Sequence, residues 1–229
     1  MNNSIVVIIP AYNEENSIQK VIHDIPKELV DEIIVVNNNS NDATESKAFE
    51  AGATVLKEKQ QGYGAACLKG MEYVAAGTKK PGIVVFIDAD YSDHPEQMPS
   101  LIKPIVEDQV DLVIGSRALG RRSKGSMTPP QIFGNHLATT LMRWLYKVHY
   151  TDLGPFRAIR YSALLKLEMK DRNYGWTVEM QLKAAKQKMK VCEVPVDYRE
   201  RIGFSKISGT IKGTIGAGYK IITTIFKYL

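Results

Sequence analysis

The stretch Gly82–Asp90 reads GIVVFIDAD. Its middle, Ile83–Ile87, is unbroken apolar sequence with no polar alternation, the pattern of a short strand buried on both faces. Ser4–Pro10 (SIVVIIP) and Glu32–Val36 (EIIVV) repeat the pattern, and Thr54–Lys57 and Val110–Ile114 (VDLVI) add shorter strands. Segments with helical spacing fall between them. Glu14–Ile25 carries Ile18, Val21, Ile22 and Ile25, Asp42–Ala51 has Asp42 as N-cap, and Gly64–Ala76 and Pro95–Glu107 follow. Strands of this kind alternating with helices predict an α/β chain with an open, wound, mostly parallel sheet and helices on both faces. Ligands of such sheets bind beyond the carboxyl ends of the strands. Ala11–Glu15, Asn37–Asp42, Asp88–His94 and Gly115–Arg122 are therefore expected on one rim.

The second half is patterned differently. Ser116–Pro130, rich in Gly, Ser, Pro and Arg, reads as a loop, and Gln131–Val148 as a long amphipathic helix. Phe156–Arg160 reads as a strand, Val178–Met189 as a helix, and Val191–Tyr198 as a strand that Pro195 directs to an edge or bulge. One domain is expected over 1–208, followed by a basic amphipathic helix over 209–229. In that helix Ile211, Ile215, Ile222, Ile225, Phe226 and Leu229 recur near one face, with Lys212, Lys220 and Lys227 toward the other. The same moment serves a helix lying in a membrane interface and one packed on the sheet.

The chain has 229 residues, 44% hydrophobic and 24% charged, which excludes disordered and low-complexity classes. Two cysteines, Cys67 and Cys192, exclude a disulfide scaffold and argue against a zinc cluster. The net charge is +5 and unevenly spread, with no acid in Leu112–Thr151 or Arg201–Leu229. A basic second half invites an anionic partner, such as phosphate or a membrane surface. There is no signal-peptide pattern and no apolar run of spanning length, so the expected location is cytoplasmic, including the cytoplasmic face of a membrane.

Asp88 and Asp90 stand at i and i+2 after a buried strand, so both can point from the sheet rim. Mg²⁺ and Mn²⁺ take hard oxygen ligands, often only one or two from protein, with water and phosphate supplying the rest. The pair therefore suits a metal bridging a diphosphate, and equally suits turn or cap residues. Neither a Walker A sequence nor Gly-x-Gly-x-x-Gly follows the first strand. Gln61-Gly62-Tyr63-Gly64 opens a helix and suits either an anion or a tight turn. His23, His94, His136 and His149 show no ligand spacing. Tyr174, Trp176 and Phe156 could frame a sugar or prenyl chain, or simply fill the core.

Taken in order, Pro10–Glu15, Val35–Asp42, Gln61–Ala66, Asp88–Asp90, Gly115–Arg117, Thr151–Arg157 and Arg201–Lys206 closely resemble glycosyltransferase family 2, whose fold is GT-A. The last two narrow the resemblance to the dolichyl- and polyprenyl-phosphate mannose and glucose synthase group. The resemblance implies that Pro10, Ala11, Tyr12 and Glu14 hold the base and ribose. Asn37 and Asn38 replace common aspartates, with Asn38 facing the base, and Gly62 belongs to the donor side. Asp88 would meet ribose or metal, Asp90 the metal, and Arg117 phosphate. Asp152 and Gly154 would shape the acceptor side. Arg201, Ser205 and Lys206 would clamp the diphosphate or the acceptor phosphate.

The expected activity is metal-dependent (Mg²⁺ or Mn²⁺), inverting transfer of a hexose from a nucleotide-diphosphate sugar, UDP-glucose or GDP-mannose, to a polyprenyl phosphate. The catalytic set would be Asp152, Glu179 and Arg201. The expected partners are this donor, a lipid acceptor, and a membrane surface or membrane protein, with no nucleic acid. A phosphate acceptor is already an anionic nucleophile. A glycolipid or soluble hydroxyl acceptor would need Glu179 or Asp152 as base. A non-catalytic nucleotide-sugar binding protein is the alternative of another class.

Overall fold

The computed structural model describes residues 4–203 and 211–229, without the side chains of 211, 212 and 214. The strands are β1 (Ile5–Ala11), β2 (Glu32–Asn37), β3 (Thr54–Lys57), β4 (Ile83–Phe86), β5 (Leu112–Ser116), β6 (Arg157–Arg160) and β7 (Val191–Pro195). The helices are α1 (Ile18–Asp24), α2 (Thr44–Glu50), α3 (Tyr63–Ala76), α4 (Met98–Glu107), α5 (Pro129–Tyr146), α6 (Tyr161–Leu167), α7 (Trp176–Lys186) and α8 (Ile211–Lys227).

All seven strands form one sheet in the order β3-β2-β1-β4-β6-β5-β7. It is covered on both faces, as the unbroken apolar runs require. Ile5, Val7 and Ile9 pack with Ile18, Ile22, Ala48 and Leu101 of α1, α2 and α4. Val6 and Ile8 point the other way, to a core that holds Cys67, Met142, Trp176 and Ile225 of α3, α5, α7 and α8. Strand β1 lies between β2 and β4, and the chain winds outward from it in both directions. That reversal opens a crevice beyond the ends of β1 and β4.

Strand β6 is antiparallel to both its neighbours, pairing Arg157 with Phe86 of β4 and with Ile114 of β5. Its first residue therefore lies at the carboxyl ends of β4 and β5, and the Thr151–Phe156 segment joins the same rim. The approach is close, since a Cβ at Gly154 would lie 2.2 Å from the Gly115 carbonyl oxygen. Strand β7 is the edge strand expected from Pro195, and its pairing ends with that residue opposite Ser116.

Helix α1 starts at Ile18 rather than Glu14. The preceding residues form a turn in which the Glu14 amide donates to the Thr44 hydroxyl and the Ser17 amide to the Glu14 carbonyl. Helix α6, too short to show a period, has no counterpart in the sequence reading. Helix α8 packs its last turns on α5 and α7, with Thr224 and Ile225 buried and the Tyr146 hydroxyl donating to the Ile225 carbonyl.

Gly154→Ala should force this segment away from β5 and cost about 1–3 kcal/mol, read by urea unfolding. Unchanged stability would mean that the loop before β6 yields freely.

Candidate active site

A cavity of about 480 Å³ opens at the crevice between β1 and β4. Its wall takes Pro10, Ala11, Tyr12 and Glu14 from the end of β1, and Asn38 from the end of β2. Gln61, Gly62 and Tyr63 come from the start of α3, Asp88, Ala89 and Asp90 from the end of β4, and Asn173, Tyr174 and Arg201 from the second half.

The turn after β4 is held from outside. Tyr91 has φ +64°, an unfavourable region for a bulky residue. The Arg199 guanidinium lies 3.4 Å from the Tyr91 ring centroid, and its Nε donates to the Tyr91 carbonyl at 2.7 Å. The Tyr91 hydroxyl donates to Asp24. Asp90 is buried, and its Oδ1 accepts from the amide and hydroxyl of Ser92. Arg201 bridges the other oxygen, 3.2 Å away, to Glu14 Oε1 at 3.0 Å. Asp88 Oδ1 is sealed from solvent with no hydrogen-bond partner among the described residues. Burial first, and then the Asp90 charge, push the Asp88 carboxyl from 3.8 to about 7. A buried, unpartnered carboxylate oxygen beside a second carboxylate fits a hard cation. Among the described residues no group of three or more His, Cys, Asp or Glu could hold a metal, so a cation here would complete its shell with water and phosphate.

Arg117 and Asp152 form a second cluster beside the first. Asp152 is 1% exposed, and its oxygens accept from Arg117 Nε at 2.8 Å and Nη2 at 2.6 Å. The Arg117 amide adds a third bond at 2.7 Å. Burial alone would lower Arg117, but the Asp152 charge and hydrogen bonds raise it, so the guanidinium keeps its charge. The Arg117 guanidinium also stands over the Tyr198 ring at 5.1 Å.

Asn38 builds the far wall. Its amide nitrogen donates to the Glu58 and Gln60 carbonyls, and its Oδ1 accepts from the Gly62 amide. An aspartate could not make the two donations. Asn37 likewise donates to Glu45 and accepts from the Ser40 amide. Gly62 has φ +149°, and a Cβ there would lie 2.1 Å from the Arg172 carbonyl oxygen, so glycine is required.

The structure thus brings Pro10, Ala11, Tyr12, Glu14, Asn38, Gly62, Asp88, Asp90 and Arg201 round one cavity. Arg117, Asp152 and Gly154 stand together at the neighbouring strand ends. Glu179 is not in the cavity wall and is fully buried. It is ion-paired to Lys183 at 2.7 Å and accepts from the Tyr228 hydroxyl at 2.6 Å and the Asp171 amide at 2.7 Å. Burial would raise its pKa, but these donors hold it below the usual carboxylate range. Ser205 and Lys206 lie outside the described residues.

Two buried charges escape a sequence reading. Both oxygens of Asp93 lack partners among the described residues, and burial and the Asp88 and Asp90 charges push it well upward. Arg157 is fully buried and donates to the carbonyls of Leu153, Gly154 and Thr177, with burial lowering it to about 10. Asp93 falls in the Asp88–His94 rim loop and Arg157 closes the Thr151–Arg157 motif, but nothing in the sequence singles out either as a buried site residue.

A family model, "Glycosyl transferase family 2", matches residues 6–167. A dolichyl-phosphate hexose transferase of Haloferax volcanii is 32% identical over 212 residues, covering 90% of this chain and 87% of that protein. A UDP-N-acetylglucosamine–dolichyl-phosphate N-acetylglucosaminyltransferase of Methanococcus voltae is 29% identical over 241 residues, covering 95% and 92%. Glucosyl-3-phosphoglycerate synthase of Mycobacterium tuberculosis, solved with Mn²⁺, UDP and phosphoglyceric acid, shares the fold. Its TM-score is 0.79 at 23% identity, over 99% of this chain and 78% of that one.

An acid whose pKa is raised on folding stabilises the fold at low pH, and that stability is lost as pH climbs through the folded value. In chelator-treated protein the Tm should therefore fall as pH rises from 3.8 to about 7, the window set by Asp88. Asp88→Asn should flatten this slope, and an identical slope in the variant would refute the assignment.

Proposed function

Because this chain belongs to glycosyl transferase family 2, a family of sugar-transferring enzymes, we propose that it moves a hexose from a nucleotide-diphosphate sugar to a polyprenyl phosphate. The observation that carries the acceptor is the state of the two carboxylates that could serve as base. Asp152 is locked against Arg117, and Glu179 is buried under four donors, the Lys170 and Asp171 amides, the Tyr228 hydroxyl and the Lys183 ammonium. Neither is free to take a proton from a hydroxyl, and a lipid phosphate brings its own negative charge and needs no base. The relatives named for dolichyl phosphate acceptors support the same reading.

The donor would enter the cavity with its base and ribose against Pro10, Ala11, Tyr12, Glu14, Asn38 and Gly62. Asp88 and Asp90 would hold Mg²⁺ or Mn²⁺, which supplies positive charge to the leaving diphosphate. Arg201 already stands between Glu14 and Asp90 and would meet the diphosphate from the other side, with Ser205 and Lys206 following it in sequence. Arg117, fixed by Asp152, would present charge where the acceptor phosphate approaches through the Gly154 side. Negative charge that grows on the leaving group is stabilised best by such pre-oriented cations. Inversion follows if the acceptor oxygen displaces the nucleotide directly. The acceptor would be met at a membrane surface. Among the described residues no helix is long and apolar enough to cross one, so contact would be peripheral or through a membrane protein.

Labelled UDP- and GDP-sugars should pass label into an organic-soluble, acid-labile product when polyprenyl phosphate and Mn²⁺ are present. Chelation should stop transfer, and Asp90→Asn should slow it on the order of a hundredfold or more. Labelling of hydroxyl acceptors with polyprenyl phosphate ignored would overturn the acceptor. Turnover unaffected by chelator would overturn the metal.

A further inference from the structure

Helix α8 has two different faces. On one, Lys220, Thr224 and Tyr228 recur every fourth residue and form a single stripe. They lie along Asp171, Gly175 and Glu179, which share the same spacing. Lys220 pairs with Asp171 at 2.9 Å, and the Tyr228 hydroxyl donates to Glu179 at 2.6 Å. Between them the contact is so close that a Cβ at Gly175 would come within 2.7 Å of the Thr224 hydroxyl oxygen.

Those three positions control the 170–175 segment. Glu179 accepts from the amides of Lys170 and Asp171, and Asp171 accepts from those of Asn173 and Gly175. The segment places Asn173 and Tyr174 in the cavity wall. Its Arg172 carbonyl takes the Ala65 amide at 2.9 Å, where α3 begins beside Gly62. A continuous set of hydrogen bonds thus runs from α8 to the donor cavity.

The other face of α8 is apolar and exposed. Ile215, Tyr219 and Phe226, at i, i+4 and i+11, are 66%, 72% and 52% exposed. Neighbouring α5 shows the same arrangement in Phe133 and Trp144, 67% and 74% exposed. Arg143, Lys147 and Lys227 are exposed on these elements, and neither 112–151 nor 201–229 contains an acid. Exposed aromatics on segments that carry exposed cations and no acid complement an anionic lipid surface. An acidic protein surface would offer charge but no apolar layer for these rings.

We propose that α8 couples an anionic lipid surface to the donor cavity: its outer stripe, with that of α5, seats on the lipid, and the seated helix holds the 170–175 segment in its donor-binding position. This rests on the donor-site reading above and adds that the surface carrying the acceptor also tunes donor affinity. Glu179 and Tyr228 are positioning residues in this scheme.

The test uses the full chain, vesicles of phosphatidylcholine alone or mixed equally with phosphatidylglycerol, and calorimetric binding of UDP-glucose and GDP-mannose with Mn²⁺. The protein should float with the anionic vesicles only, and its donor affinity should then rise roughly fivefold or more. Phe226→Ser should lose flotation and the rise together, keeping lipid-free affinity. Tyr228→Phe should float normally and lose the rise. Absence of flotation, equal donor affinity on floating protein, or a rise retained in Tyr228→Phe would each overturn the proposal. If neither nucleotide sugar binds under any condition, the donor reading fails instead. Amide exchange then decides the coupling alone, because anionic vesicles should slow exchange over 62–66 and 168–175 in wild type and not in Tyr228→Phe. Unchanged exchange in wild type would overturn it.

Discussion

Negative charge crowded at one edge of a sheet is the constraint on which this structure turns. Glu14, Asp90, Asp93 and Asp152 are buried there, beside an Asp88 oxygen sealed from solvent. Carboxylates out of water must be paired, hydrogen-bonded or neutralised. The first 110 residues supply the sheet edge and contain no arginine, and among the described residues none of their lysines is ion-paired to these groups. Among the described residues the counter-charges come from Arg117 and Arg201, brought back by the second half of the chain. The edge is thus incomplete until the chain has returned to it twice.

The remaining deficit has chemical consequences. Burial first, and then the charges of neighbouring carboxylates, hold Asp88 and Asp93 above the ordinary carboxylate range. Arg157 answers a different need beneath the same edge. Among the described residues its guanidinium donates to carbonyl oxygens alone, so it shapes the Leu153–Gly154 turn while adding a fixed positive charge near Tyr63.

How much of this could be read from sequence depended on whether the information was local. The strands Ile5–Ala11, Glu32–Asn37 and Ile83–Phe86 announce themselves through continuous burial on both faces, and Asp88-Ala89-Asp90 follows where such sheets hold ligands. The direction of β6 could not be read, because RAIR carries no sign of which neighbours it will pair with. The Arg117–Asp152 pair is a consequence of that direction and was equally hidden, although both residues stood out individually. Glu179 at a helix start resembles a reactive acid in sequence. The fold closes over it with Lys183, the Lys170 and Asp171 amides, and Tyr228 returning 49 positions later. Asn38 was conspicuous as a departure from the family pattern, yet its reason, two carbonyl acceptors in the 58–60 loop, lies in tertiary structure.

The antiparallel course of β6 has an evolutionary corollary. Because β5 ends and β6 begins at the same rim, residues 117–156 leave the sheet and return to it at nearly one point, as the Gly115–Phe156 hydrogen bond of 2.8 Å records. An excursion with adjacent ends can lengthen, shorten or be replaced without changing strand order elsewhere. Its helix α5 meets the body mainly through α7 and α8. Selection can therefore remodel this one excursion while the cavity at the ends of β1 and β4 keeps its wall, which gives a small scaffold room to diversify on one side at a time.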